Sequence, residues 1–255
     1  MEIALTKIIG SVLIIGLRVS GLMLFAPFFG SAVIPPRIKI VLVIAITAVL
    51  YPVYSPRLHA VTVSQWPLLV ASETVVGIAV GVAANAVFEG AQMAGQVLSV
   101  QMGYSLVNIL DPLTQVDSTV VAFFHQSLAM LIFLGLDVHH WILRAVVHSF
   151  EYLPPGSATL NPLFLQALLH EGAIVLGLGI QIAAPVLSAT LLADVVLGLM
   201  GKASPQMPLM LLGPAVKSML GVLVLGVTMR FWPHLFERYF SESIAYTEHL
   251  LHLAR

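Results

Sequence analysis

Nine histidines stand among 255 residues, and the imidazole is both a common metal ligand and the usual proton carrier near neutral pH. A helical zinc-protease motif needs two His four apart with Glu directly after the first. His170-Glu171 begins that pattern, but position 174 is Ile174. His249 and His252 lie three apart, with no third ligand placed nearby. His139 and His140 are adjacent, which predicts that they point to different faces. No metal site is therefore expected, and no cofactor. Cysteine is absent, which removes disulfides, thiolate ligands and a Cys nucleophile. With no glycine-rich phosphate loop and no nucleophile elbow, no enzyme is expected. Gly77 and Gly81 instead make a GxxxG pair inside an apolar run, extended by Ala79 and Ala83, which reads as close helix packing.

The remaining chemistry-bearing residues are charges embedded in apolar sequence: Arg18, Glu73, Glu89, Asp194 and Lys217. An unpaired charge facing hydrocarbon is expensive, so buried partners or water are expected. Three readings compete. The charges line a proton or ion path; they neutralise each other, Arg18 with Glu73 and Asp194 with Lys217; or their helices do not sit in hydrocarbon at all. An ion-coupled secondary transporter would use Arg18, Glu73, Glu89 or Asp194 as its coupling site. It would also need broken helices in matching halves. Pro27 and Pro185 are candidate breaks, but the halves show no correspondence.

The stretch from Ala94 to Thr119 is the most unusual. Gln96, Ser99, Gln101, Asn108 and Asp111 interrupt an apolar helix with polar atoms. Asp111-Pro112 ends a helix, because proline drives the preceding residue out of helical geometry. Broken backbone hydrogen bonding at membrane depth is tolerated only inside protein or beside a watery cavity. The stretch is therefore a pore-lining or plug loop, or an ordinary connection.

The elements that must position these residues follow from composition. Hydrophobic residues make up 59% and charged residues 9%, with formal net charge −1 and mean hydropathy +0.99. A soluble domain carries about 25% charged residues, so a soluble enzyme is excluded. Disorder fails on hydrophobicity, and nucleic-acid binding fails for want of a basic excess. Lipid accepts only helices or closed barrels, and no alternating barrel pattern is present. Apolar stretches run from about Ile8 to Phe29, Ile40 to Tyr54, Trp66 to Val100, Thr119 to His148, Pro162 to Leu199 and Leu209 to Met229. That gives about six spans of roughly 20 residues, the third too long for one simple crossing. The fold class is all-α: a membrane-type bundle of long, partly broken helices and hairpins. Glu2 precedes Lys7 and the first apolar run is long, so it does not read as a cleavable signal. Arg37, Lys39 and Arg57 fall in successive connections, a conflicting vote on orientation. Residues 1–229 form the membrane domain. Residues 230–255 read as an amphipathic helix, with Trp232, Phe236, Phe240 and Ile244 at spacing of four and balanced charge. A neutral aromatic stripe suits a protein partner better than a lipid surface.

Ala94-Gly95-Gln96, then Gln101-Met102-Gly103-Tyr104-Ser105, then Asp111-Pro112 resemble the FliR family of flagellar export-gate proteins, which has a virulence-type secretion homologue. Pro27-Phe28-Phe29-Gly30 and Ile34-Pro35-Pro36-Arg37, Leu153-Pro154-Pro155-Gly156, and Lys202 to Met207 with Gly213-Pro214 match in the family's order. The resemblance covers about residues 20–240. It implies a hetero-oligomer with the P and Q components, with one copy of this chain, and contact with the B component. It also implies an assembly raised out of the bilayer plane, at the bacterial inner membrane in the flagellar basal body. Such a gate passes unfolded flagellar subunits, driven by proton-motive force and a cytoplasmic ATPase. A loop of this subunit plugs it, together with a methionine ring of the P component. By position the plug covers Gln101, Met102, Gly103, Tyr104, Leu106, Val107, Asn108, Ile109, Leu110, Asp111 and Pro112. Leu106, Val107, Ile109 and Leu110 would seal by dewetting, and Gly103 would let the loop bend aside. Gln101-Met102-Gly103 with Asp111-Pro112 favours the flagellar over the virulence-type system.

Overall fold

The structure is a computed structural model. It describes residues 2–27, 29–30, 34–55, 66–104, 120–154, 162–204 and 209–253. Eight α-helices cover most of these: α1 (Glu2–Phe25), α2 (Pro36–Tyr54), α3 (Trp66–Gln101), α4 (Val120–Gly135), α5 (Val138–Tyr152), α6 (Pro162–Ala203), α7 (Leu209–Thr228) and α8 (Trp232–Leu253). A short 3₁₀ turn, Met229–Phe231, joins α7 to α8. The described residues contain no strand. The all-helical architecture follows from apolar runs whose backbone can bond only to itself.

Five helical stretches are long and apolar enough to cross a membrane, or six if α4 and α5 together count as one. The 36 residues of α3 and the 42 of α6 rise about 54 and 63 Å at 1.5 Å per residue. Both exceed a hydrocarbon core of about 30 Å, so neither is a single simple span. Proline marks the start of α2 and of α6, and three further prolines lie inside helices. Pro36 occupies the first helical turn, where no amide partner is needed. Pro52, Pro185 and Pro214 lie inside helices that continue past them. α2 runs through Pro52 to Tyr54, the end expected for the second apolar stretch. The fourth apolar stretch differs. Leu136 and Asp137 form a turn that divides it into α4 and α5. Asp137 has φ 55°, a left-handed conformation that Asp tolerates better than most residues.

The chain folds as two compact units. One comprises Met1–Ala86, Asp137–Gly172 and Phe240–Arg255; the other comprises Val87–Leu136 and Ala173–Tyr239. In the first unit, α1 and α3 meet backbone to backbone. A Cβ on Gly77 would lie 2.1 Å from the Arg18 carbonyl oxygen, and one on Gly81 would lie 2.8 Å from that of Leu22. Those glycines therefore stand where the helices cross, and Ile15, Val19, Val76, Val80 and Ala83 fill in around them. The last part of α8 closes this unit: Ser243 Oγ donates to the Ala83 carbonyl, and Tyr246 Oη donates to that of Ala167 at 3.1 Å.

In the second unit, α3 and α4 touch at Gly95, where a Cβ would lie 2.4 Å from Ala122 Cα. Phe88 and Phe133 meet edge to face with centroids 5.3 Å apart. The His125 ring lies 4.9 Å from that of Trp232. The aromatic stripe of α8 is not left for a partner. Trp232, Phe236 and Phe240 are buried within the chain. Burying these rings removes large apolar area from water, which an intramolecular site supplies as well as a partner does.

Candidate functional site

Of the region singled out above, the described residues are 94–104, the polar end of α3 and the turn after it. Tyr104 N–H donates to the Ser99 carbonyl at 2.9 Å, and Gly103 N–H donates to that of Val100 at 3.1 Å. Gly103 has φ 87°. These features make a Schellman helix stop, in which the left-handed residue is glycine because other side chains are strained there. A Cβ on Gly103 would also lie 3.0 Å from the Pro214 Cβ. Gly103 thus turns the chain sharply at the end of α3.

Around this stop the side chains tie α3 to α6 and α7 within the second unit. Gln101 Nε2 donates to Asp194 Oδ2 at 3.1 Å. Lys217 Nζ lies 3.0 Å from Asp194 Oδ1. One carboxylate on α6 therefore holds an amide from α3 and an ammonium from α7. Tyr104 Oη and Ser218 Oγ hydrogen-bond at 2.6 Å. Met102 is 2% exposed and lies over Gly221, where an added Cβ would come within 2.7 Å of its Cε. Gln101, Met102, Gly103 and Tyr104 are thus held at four successive positions. Leu106, Val107, Asn108, Ile109, Leu110, Asp111 and Pro112 lie outside the described residues.

The second constellation is in the first unit. Arg18 Nε donates to Glu73 Oε2 at 2.7 Å, with the side chains 1% and 0% exposed. Arg18 Nη1 donates to the Ser149 and Leu153 carbonyls, each at 2.9 Å. The guanidinium also sits over the Phe150 ring, 4.3 Å from its centroid. Arginine's rigid fork suits this combination of carboxylate, carbonyls and ring. The cluster joins α1, α3 and the end of α5, and its charges are spent on each other.

Not every expected charge is buried. Glu89 is exposed, and the Asp194 and Lys217 side chains are 42% and 19% exposed. Asp194 and Lys217 share the surface of α6 and α7 with large apolar side chains. Leu191, Leu192, Val195 and Leu199 on α6, and Met219, Leu223 and Val227 on α7, are exposed large apolar side chains. Apolar faces of this extent call for lipid or protein to cover them. One buried charge went unread in the sequence. Glu171 is 2% exposed, and neither carboxylate oxygen has a hydrogen-bond partner among the described residues. Its only sequence signal was its place inside the apolar run of α6, beside His170. The adjacent histidines do not diverge either: the His139 and His140 rings lie 4.1 Å apart. They occupy the first turn after Asp137, whose carboxylate oxygen lies within 3.8 Å of both.

With five helical stretches among the described residues long and apolar enough to cross a membrane, and large apolar side chains exposed on α6 and α7, the chain is a helical membrane protein. It belongs to the family described as "Bacterial export proteins, family 1", which matches residues 9–243. Among curated relatives, it is 29% identical over 230 residues to the flagellar biosynthetic protein FliR of Escherichia coli, covering 88% of each chain. It is 25% identical over 244 residues to the FliR of Bacillus subtilis, covering 94% of each. The FliR of Caulobacter vibrioides is 24% identical over 216 residues, 83% of this chain and 85% of that one.

Proposed function

We propose that the chain is the FliR-type subunit of the flagellar type III export gate, a structural part of the conduit for unfolded flagellar proteins. The observation that carries this reading is the end-to-end match to proteins named FliR, 94% of both chains in one case. Membership of a bacterial export family across residues 9–243 supports it. The ion-coupled transporter reading loses its footing, because Arg18 and Glu73 are locked together and Glu89 is exposed. The chain acts as one copy in an inner-membrane complex with the P, Q and B components at the basal body. The exposed apolar faces of α6 and α7 suit such helical partners.

Within this reading, residues 101–112 form the plug, and its first four residues, pinned at the end of α3, anchor it. Four ties at Gln101 to Tyr104 support that role. A loop that closes a pore must leave from a fixed point, or its apolar residues would not meet the constriction. Leu106, Val107, Ile109 and Leu110 then exclude water from the closed gate. Deleting residues 106–110 tests this. Cells carrying the deletion should still assemble the complex but leak ions across the membrane. Normal assembly with no leak would remove the plug role and leave a scaffold.

A further inference from the structure

Asp137, His139 and His140 form a cluster that the gate reading does not use. Asp137 precedes α5 in a left-handed conformation, φ 55°. His139 Nε2 lies 3.8 Å and His140 Nδ1 3.6 Å from Asp137 Oδ1. One ligand atom from each residue can be chosen so that all lie within 4.8 Å of one another. The two imidazoles are tilted by 38° rather than splayed. Around a tetrahedral zinc with bonds of about 2.0–2.1 Å, ligand atoms sit about 3.3 Å apart. Two of the distances here already approach that value. The side chains are 68%, 30% and 58% exposed for Asp137, His139 and His140, so an ion reaches them without any opening of the fold.

Two imidazoles and a carboxylate are the donor set of borderline transition metals rather than of Mg²⁺ or Ca²⁺. Three protein ligands leave a coordination position for water or an outside group. The positive end of α5 opposes a cation weakly, and the Asp137 carboxylate offsets it. We propose that Asp137, His139 and His140 form a three-ligand site for a divalent transition metal of the zinc class, which clamps the first turn of α5. An ordinary His–Asp ion pair is the competing use of the same geometry, and exposed pairs of that kind contribute little.

The test uses the full-length chain in mild detergent, carrying a purification tag without histidine. Zn²⁺ is added alone, excess is removed, and bound metal is measured by elemental mass spectrometry. Co²⁺ substitution, read by visible absorption, reports the ligand set. About one equivalent should bind. Losing an outer-shell partner alone costs about 10–100-fold, so His139→Ala, His140→Ala and Asp137→Asn should each weaken binding at least about tenfold. His234→Ala, whose side chain is 90% exposed, should leave it unchanged. Asp137→Asn preserves side-chain size, and unchanged circular dichroism separates ligand loss from misfolding. Binding that survives the His139→Ala/His140→Ala double variant, or that is absent in the wild-type chain, overturns the proposal.

Discussion

Arg18→Met tests whether the buried pair holds the first unit together. The substitution keeps much of the side-chain volume but removes the guanidinium. It takes the guanidinium away from the Glu73 carboxylate, which is 0% exposed, and leaves the Ser149 and Leu153 carbonyls without the donor they share. Breaking a buried pair from one side costs about 3–5 kcal/mol, because a charge stays buried without compensation. For a chain of this size each kcal/mol lowers the unfolding midpoint by roughly 2–4 °C. The single variant should therefore melt roughly 6–20 °C lower. Adding Glu73→Gln removes the buried charge that has lost its arginine, so the double variant should recover a large part of the loss. The part not recovered reflects the two carbonyls, at about 1–3 kcal/mol each if left unsatisfied. The assay is thermal unfolding of the four-member cycle in one detergent. A single variant as stable as wild type, or a double variant no better than the single, would refute the reasoning.

Three further outcomes follow from the packing and backbone geometry. Gly77→Ala places a Cβ 2.1 Å from the Arg18 carbonyl oxygen, so α1 and α3 must separate at a cost of about 1–3 kcal/mol or more. Gly172→Ala meets nothing within 4 Å and should be neutral or stabilise by up to about 1 kcal/mol; parallel melting curves check both. Gly103→Ala forces a side chain into φ 87° against Pro214, costing about 1–2 kcal/mol. If the end of α3 anchors the plug, this variant should raise ion leak while the complex still assembles, as read by a membrane-potential dye.

Much of the fold could be read from the sequence because continuous apolar runs leave the backbone no alternative to helix. The pairing partners of Arg18 and Asp194 were also readable, since few charges were available to neutralise them. Other features depended on information that periodicity does not hold. Leu136-Asp137 looked like part of one apolar stretch, because a left-handed Asp leaves only a weak local signal. The burial of Trp232, Phe236 and Phe240 depends on what α8 packs against, and an amphipathic stripe looks the same whether its cover is a partner or its own chain. His139 and His140 were expected to diverge by helical spacing. At the start of α5 both instead lie beside Asp137. Glu171 was weighed only as a zinc-motif residue, although its apolar surroundings marked it as a buried charge.

Native mass spectrometry of the tagged chain, co-expressed with its genomic neighbours and extracted in mild detergent, tests the central claim most directly. The account predicts a large complex with one copy of this chain among several copies of two smaller membrane proteins. A folded monomer or homodimer that retains none of them would contradict it.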